Sequence, residues 1–190
     1  MNGRATVTVV DDEPGLADLF AAWLEGTYEI RTAYGGRQAL DVVDDGVDVV
    51  LVDRLMPDAS GDEVVTALTD RGWDGGIAMV TAVEPDFDVV ELGLDDYLVK
   101  PVHRELLEST VERLLERATH DGPARELLAL TSKRAILETR KSEVELTNSR
   151  EYRRLTRAIV ELRDRVDGSA VGLDDAEPER AFRRPEQGRW

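Results

Sequence analysis

Hydrophobic and polar residues follow two alternating patterns between residues 5 and 119. Short apolar runs, dense in Val and Ile, are continuous rather than alternating, which is typical of parallel strands covered on both faces. Between these runs, apolar residues recur three and four positions apart, as on one face of a helix. Strands are predicted at 5–10, 28–33, 47–52, 77–80 and 96–99. This alternation predicts an α/β fold with a doubly wound, five-stranded parallel sheet and right-handed crossovers.

A different pattern begins after residues 120–123, where a Gly-Pro pair ends the preceding helix and marks a linker. Residues 124–146 are polar with one apolar stripe, and they predict a helix. A break follows, where Asn148 and Glu151 have the spacing of a capping box. The next helix has apolar residues at the 3-4 spacing of a coiled coil, namely Tyr152, Leu155, Ile159, Leu162 and Val166. This seam is too short to be stable alone, so it must pack on the preceding helix, on the first domain or on a second chain.

The chain is therefore predicted to have an α/β domain over 1–119, a linker over 120–123, a helical hairpin or coiled-coil module over 124–167 and a tail over 168–190. Gly, Ser, Pro and charged residues dominate the tail, a composition that predicts disorder. No apolar run is long enough to span a membrane, and the chain begins with a strand rather than an apolar leader. We expect a cytoplasmic protein.

Acidic residues outnumber basic ones by 40 to 24, for a formal net charge of −16. Residues 1–118 contain 26 acids and 9 bases, a net charge of −17, whereas residues 119–190 contain 14 acids and 15 bases, a net charge of +1. Only 3 of the bases are Lys. Because a strongly acidic, Lys-poor surface keeps proteins soluble at high salt, the composition favours a halophilic source. With no Cys and 2 His in the chain, we expect any metal ion to be held by oxygen.

Polar residues follow four of the predicted strands. Asp11 and Asp12 follow the first strand, Asp53 the third, Thr81 the fourth and Lys100 the fifth. The carboxyl ends of these strands meet at one edge of a doubly wound sheet. Carboxylates crowded there require raised pKa values or a divalent cation, and Mg²⁺ prefers oxygen ligands. A Lys and a Thr hydroxyl are suited to phosphate oxygens, so the sequence predicts a site for a phosphoryl group on a carboxylate.

Each of these residues also has an ordinary structural interpretation. Asp11 and Asp12 could cap a helix, and Asp53 could begin a turn. Lys100 could be an ion-pair partner, and Thr81 a hydroxyl at a strand end. The complete set favours the functional interpretation over these separate ones.

Residues 5–119 resemble the receiver domain of two-component response regulators. The resemblance is carried by Asp11-Asp12, Asp53, Met56-Pro57-Asp58, Gly61, Thr81-Ala82, Tyr97 and Lys100-Pro101. It implies a flavodoxin-like strand order of 2-1-3-4-5. It also implies that Asp53 accepts a phosphoryl group from the phosphohistidine of a sensor histidine kinase. By the same resemblance, the domain promotes only its own phosphorylation and dephosphorylation and is not an enzyme acting on other substrates.

The resemblance also assigns roles around Asp53. Asp11, Asp12, Asp53 and the backbone carbonyl of Leu55 would hold Mg²⁺, directly or through water. Thr81 and Lys100 would bind the phosphoryl oxygens. Tyr97 would turn inward as Thr81 moves, which would switch the nearby surface, and the Lys100-Pro101 peptide is expected to be cis.

Two departures from the receiver pattern affect these expectations. The stretch from Thr81 to Lys100 is about one helical turn shorter than usual, and the missing residues fall on the fourth helix, so the usual dimer through that surface is not assumed. Leu55 and Val83, two residues after Asp53 and Thr81, occupy positions that in receivers influence attack by water. Since neither apolar side chain can orient water, slow self-dephosphorylation is predicted.

The residues after 123 resemble the HalX-type helical domain that follows receivers in halophilic archaea, notably at 130–135 and 148–155. We expect a protein-interaction module that contacts a partner protein or forms a homodimer. The alternative is nucleic-acid binding through a helical stripe of Arg150, Arg153, Arg154 and Arg157. Residues 125–165 carry 11 bases and 7 acids, and high salt screens phosphate attraction, so protein interaction is the favoured hypothesis.

Overall fold

A five-stranded sheet forms the centre of the computed structural model, which describes residues 3–120 and 122–174, with side chains described up to residue 167. The strands are β1 Thr6–Val10, β2 Glu29–Ala33, β3 Val49–Val52, β4 Gly76–Thr81 and β5 Asp96–Val99. The helices are α1 Pro14–Leu24, α2 Gly36–Val42, α3 Gly61–Asp70, α4 Arg104–Ala118, α5 Gly122–Arg140, α6 Glu143–Asn148 and α7 Arg150–Asp174. The predicted alternation of strands and helices is therefore confirmed.

All neighbouring strands are parallel, and their order is β2-β1-β3-β4-β5. Val10 lies opposite Val52, and Val52 lies opposite Met79. This register aligns the carboxyl ends of β1, β3 and β4 at one edge. The predicted fold class and strand order are confirmed, and the residues that follow these strands share the edge as expected.

The sheet has an apolar layer on each face. Val7, Val9 and Leu51 belong to the layer beneath α1 and α4, whereas Val50 and Val52 belong to the opposite layer, beneath α2 and α3. All four residues of β3 are buried because both faces of that strand are covered. A continuous apolar run is the sequence pattern that such a central strand requires.

The connection between β4 and β5 contains a 3₁₀ helix, Phe87–Val90, as its helical segment. This agrees with the shortened fourth helix in the sequence. α5 and α7 pack beside it, with Leu137, Leu155 and Ile159 each at most 2% exposed. These side chains belong to the same apolar layer as Val52. The C-terminal helices, α5 to α7, therefore share a hydrophobic core with the sheet, and the coiled-coil-type seam packs on both the preceding helix and the first domain.

The boundaries of the C-terminal helices correct the sequence prediction. The helix predicted over 124–146 ends at Arg140, because Ser142 and Glu145 form a capping box that begins α6. Asn148 is the last residue of α6 and not the cap of the next helix. Ser149 caps α7 instead, since its hydroxyl accepts the Tyr152 N–H at 3.0 Å.

Part of the predicted disordered tail is helical. α7 continues through Asp174, so residues 168–174 are helical and do not belong to such a tail. The rest of the predicted tail, 175–190, lies outside the described residues. Within the part of the chain that the structure describes, no helix has the length and apolar character needed to cross a membrane.

Candidate functional site

Lys100 joins two buried carboxylates at the carboxyl edge of the sheet. Its Nζ donates to Asp11 Oδ2 at 2.6 Å and to Asp53 Oδ1 at 2.9 Å. Asp11 is 2% exposed and Asp53 is 6% exposed. Two carboxylates held so close together, and so far from water, need a shared cation, and here the Lys ammonium supplies that charge.

The backbone places each of these residues one step beyond its strand. Asp53 N–H donates to the Val10 carbonyl at 2.9 Å, and Lys100 N–H donates to the Thr81 carbonyl at 2.8 Å. Asp11 N–H likewise donates to the Ala33 carbonyl at 3.1 Å. Because the hydrogen bonds of the sheet continue into these residues, their backbone is fixed in the same way as that of the strands. The sequence feature responsible is an apolar strand that ends directly in an acid or a base.

The Asp53 carboxylate is held from two sides. Oδ1 accepts from Lys100, and Oδ2 accepts the Leu55 backbone N–H at 2.7 Å. Gly61 packs directly on the Asp53 backbone, since a Cβ at Gly61 would lie 2.3 Å from the Asp53 carbonyl oxygen. Any larger residue at 61 would therefore displace the loop that carries the acid.

The charge of Lys100 is set by competing effects. Burial of the ammonium lowers its pKa, but the hydrogen bonds to Asp11 and Asp53 outweigh burial and raise the pKa above its ordinary value. Lys100 therefore stays protonated across the neutral range. The site presents a fixed positive charge beside two anionic oxygens, which is suited to holding an anionic group near Asp53.

Thr81 and Tyr97 meet at the backbone of Val83. The Thr81 hydroxyl accepts the Val83 N–H at 3.4 Å, and the Tyr97 hydroxyl donates to the Val83 carbonyl at 2.8 Å. Thr81 is 1% exposed and Tyr97 is 4% exposed. Burial raises the pKa of Tyr97, although the nearby Arg54 opposes the shift. The two residues to which the resemblance gives a switching role are thus connected through one residue.

The structure brings together Asp11, Asp53 and Lys100, but Asp12 is exposed. Among residues 3–120 and 122–174, no three His, Cys, Asp or Glu side chains are placed to share a metal ion. Asp11 and Asp53 both reach a single cationic centre, which fits a hard cation that takes few protein oxygens. The roles of Asp12 and of the Leu55 carbonyl stay predictions. The Lys100-Pro101 peptide is cis, as expected.

Two residues beside the site make contacts that the sequence did not predict. Asp58 accepts the Gly36 and Arg37 N–H groups, both at 3.0 Å, so it caps α2 from a distant loop. The hydrogen bond from the Arg37 N–H, followed by that from Gly36, lowers the pKa of Asp58. Arg54 binds Asp62 and Asp88, and its side chain is 11% exposed. Only its position directly after Asp53 could have drawn attention to it.

A doubly wound parallel sheet with an acid–lysine cluster at its carboxyl edge defines the receiver type of α/β fold. Residues 7–112 match the model of the response regulator receiver domain, and residues 116–183 match the model of the HalX domain. The chain belongs to the response regulator receiver family and carries a HalX domain after the receiver. Both parts of the resemblance noted in the sequence are confirmed.

Related proteins come from archaea and bacteria. The chain is 49% identical, over 138 residues, to a putative transcriptional regulator of Haloferax volcanii; the match covers 72% of this chain and 24% of that protein. It is 34% identical over 116 residues to the transcriptional regulatory protein CpxR of Escherichia coli, covering 59% of this chain and 50% of CpxR. The chain thus spans a quarter to a half of the length of these relatives.

Solved structures match the receiver portion. A CheY-like receiver domain protein from Methanospirillum hungatei has a TM-score of 0.58 at 25% identity, covering 63% of this chain and all of that one. The response regulator protein TrrA from Thermotoga maritima, in complex with Mg²⁺–BeF, has a TM-score of 0.51 at 33% identity, covering 58% of this chain and 99% of that one. The receiver fold is therefore shared with archaeal and bacterial proteins.

Proposed function

We propose that Asp53 accepts a phosphoryl group from the phosphohistidine of a sensor histidine kinase and that this modification controls the C-terminal helices. The observation that carries the proposal is the Lys100 Nζ held between Asp11 and Asp53 at the edge of the sheet. The receiver family supplies the class of reaction. Such a protein would act in the cytoplasm as the acceptor of the group, rather than as an enzyme with a separate substrate.

The proposed transfer is a substitution at phosphorus. A carboxylate oxygen of Asp53 forms a bond to phosphorus, and the phosphorus–nitrogen bond of the phosphohistidine breaks with its electron pair left on the imidazole. The product is an acyl phosphate on Asp53. Lys100 donates to Asp53, and Thr81 ends β4, the strand beside β3. Both side chains would bind the phosphoryl oxygens once the group arrives.

Asp11 and Asp53 would hold Mg²⁺, with Asp12 contributing through water. Bound there, the ion would supply positive charge to the phosphoryl oxygens. Lys100 would then release its contact with one or both carboxylates and turn toward the phosphoryl group. Because both carboxylates are buried, their surroundings would strengthen these charge interactions.

Labelling with acetyl phosphate tests the proposal. We expect the full chain to acquire one hydroxylamine-sensitive phosphoryl group in the presence of Mg²⁺, and none with EDTA. Asp53→Asn should abolish the label, whereas Asp45→Asn, which removes an exposed acid at the opposite edge of the sheet, should leave it unchanged. An unlabelled wild type, or a label that persists in Asp53→Asn, would contradict the assignment.

For the output we propose a protein-interaction module formed by the C-terminal helices. Its support is the buried cluster that Leu137 of α5 forms with Leu155 and Ile159 of the α7 seam, which is already a contact between parts of this chain. A rearrangement at this seam would present the same residues to a second copy or to a partner protein. Light scattering of the phosphorylated and unmodified chain in molar KCl measures the expected change in association.

The alternative output is DNA binding, which is favoured by the names of the two curated relatives. Arg150, Arg153, Arg154 and Arg157 are all exposed on α7. However, Arg153 donates to the Thr147 carbonyl, and Arg154 lies 3.7 Å from Glu91, so half of the stripe is engaged within the chain. Phosphorylation-dependent retardation in a gel shift at high KCl would favour this alternative over protein interaction.

A further inference from the structure

The connection between β4 and β5 carries five acids, and each of them is paired with a base. Four of the bases lie in the C-terminal part of the chain, from α5 to α7, and the fifth is Arg54 of the receiver. The pairs are Glu84–Arg140 at 3.2 Å, Asp86–Lys141 at 3.0 Å, Glu91–Arg154 at 3.7 Å, Asp95–Arg125 at 3.9 Å, and Asp88–Arg54. The acidic connection therefore lies between the C-terminal helices on one side and the residue after Asp53 on the other.

Lys133 of α5 adds a contact to the backbone of the same connection. Its Nζ donates to the carbonyls of Val90 and Leu92, and the residue is only 5% exposed. Lys141 also lies over the Phe87 ring, 5.5 Å from its centroid. The apolar seam supplies the adhesion between the helices and the receiver, while these polar contacts fix where the connection sits against α5.

Arg54 is the most enclosed of the paired bases, since its side chain is 11% exposed whereas those of Arg140 and Arg154 are 44% and 72% exposed. It binds Asp88 of the 3₁₀ helix and Asp62 of α3, the latter at 2.9 Å. Its positive charge also opposes the rise that burial causes in the pKa of Tyr97. Salt screens a partly buried pair less than a fully exposed one, so the Arg54–Asp88 pair is screened less than the Arg154–Glu91 pair.

Phosphorylation would act directly on the backbone that carries Arg54. In the unmodified chain, Asp53 Oδ2 accepts the Leu55 N–H, and Oδ1 accepts from Lys100. When a phosphoryl group is joined to either oxygen, that oxygen becomes the bridging oxygen of a mixed anhydride and a poorer hydrogen-bond acceptor. The segment from Asp53 to Leu55 must then change its contacts, and Arg54 lies in the middle of it.

We propose that Arg54 is the residue that couples occupancy of Asp53 to the C-terminal helices, by releasing or repositioning Asp88 and with it the acidic connection. This inference rests on the proposed phosphorylation of Asp53. Arg54 is a positioning residue here, because it acts through Asp88 and does not itself bind the phosphoryl group. Its effect reaches α5 and α7 through the four remaining ion pairs and the Lys133 contacts.

Hydrogen–deuterium exchange of the full chain, measured by mass spectrometry in molar KCl, tests the coupling. Beryllofluoride with Mg²⁺ serves as the phosphoryl mimic. In the wild type we expect the mimic to accelerate exchange of α5 and α7 by roughly threefold or more, because the contacts that hold them loosen. Arg54→Gln should lose this mimic-dependent difference, while Arg37→Gln, at an exposed Arg on α2, should retain it.

Asp88→Asn gives a second route to the same result. Asp88 is 52% exposed, so this variant is expected to fold even if Arg54→Gln does not, and it should also lose the mimic-dependent difference. Acetyl phosphate labelling of Asp53 in each variant should stay at the wild-type level. Retention of the full difference in Asp88→Asn, or labelled wild type with no exchange difference, would overturn the coupling. Unlabelled wild type would instead contradict the proposed function.

Discussion

Leu55 lies beside Asp53, the proposed phosphoacceptor, and is 66% exposed. Its backbone N–H holds Asp53, but its apolar side chain offers no group that could orient an attacking water. We therefore expect the acyl phosphate to be long-lived. Leu55→Asn, which introduces an amide at the same position, should shorten the lifetime several-fold.

Decay of radiolabelled protein after removal of the phosphodonor measures this lifetime. Leu19→Asn is the matched control, because Leu19 is an exposed Leu of α1 at 44%. A wild-type lifetime as short as that of fast chemotaxis-type receivers would contradict the prediction, as would an unchanged lifetime in Leu55→Asn.

Lys133 makes the stability of the chain depend on pH. Burial lowers the pKa of Lys133 from its ordinary value of 10.5 to about 8. Between these two values the unfolded chain binds a proton that the folded chain has lost, so folded stability rises with pH through this window. Below pH 8 both states are protonated, and this contribution is flat.

Lys133→Met should remove the effect. We expect the difference in unfolding free energy, wild type minus variant, to grow by about 1 kcal/mol or more between pH 7.5 and 9.5. Urea titrations at both pH values measure it, with Lys141→Met as the comparison at a second Lys of the C-terminal helices. If the free energy of unfolding changed equally with pH in Lys133→Met and in the wild type, Lys133 would not titrate in this range.

At the scale of single elements, α7 begins at a cap that the sequence pattern placed one residue too early. Ser149 is 8% exposed, and its hydroxyl accepts the Tyr152 N–H, whereas Asn148 ends α6. Ser149→Ala should therefore destabilise the chain by about 1 kcal/mol. Asn148→Ala should change the free energy of unfolding by less than half as much, as measured by urea denaturation.

The same element shows why the boundary was difficult to predict. Both Asn148 and Ser149 are residue types that cap helices, and Asn148 also has Glu151 three residues later, which is the spacing of a capping box. The capping box of Ser142 and Glu145 inserts a short helix between α5 and α7, which leaves Asn148 inside helical structure. Ser142, Asn148 and Ser149 can each cap a helix, and only the folded structure shows which of them do.

Across the whole molecule, the C-terminal helices and the receiver share one apolar layer. Leu155 is 1% exposed and lies in the same cluster as Val52 and Met79. Leu155→Ala should lower the stability of the entire chain by about 2–4 kcal/mol. Calorimetry should show a single transition at a lower midpoint, because the two parts unfold together.

Val160→Ala is the control for this prediction, since Val160 is 55% exposed on the same helix. It should shift the midpoint little. If Leu155→Ala produced a separate early transition and left the main one unmoved, the shared core would not govern cooperativity.

The charge of the whole chain, −16, predicts a strong dependence on salt. Repulsion among the acids of the receiver destabilises the compact state unless salt screens it. The thermal midpoint should therefore rise between low salt and molar KCl. An unchanged midpoint would show that the ion pairs already balance the repulsion.

The parallel sheet and the site follow from local patterns in the sequence, whereas the strand order was implied by the resemblance to receivers. Continuous apolar runs mark buried parallel strands, and the acids and Lys that end them must meet at one edge because the strands are parallel. Asp11, Asp53 and Lys100 could therefore be brought together before any distance was known. The contacts of Asp58 and Arg54 could not be predicted in this way. Asp58 binds the start of α2, which is distant in sequence, and the direction of the Arg54 side chain does not follow from residue spacing.

The placement of the C-terminal helices was decided by tertiary packing alone. The sequence left open whether their seam packs on the preceding helix, the receiver or a second chain, because an apolar stripe shows only that this helix face is buried. The shortened connection between β4 and β5 leaves part of the sheet for Leu137, Leu155 and Ile159 to cover. Hydrophobic burial has no preferred partner in sequence, so the choice depends on which surface the completed fold leaves open.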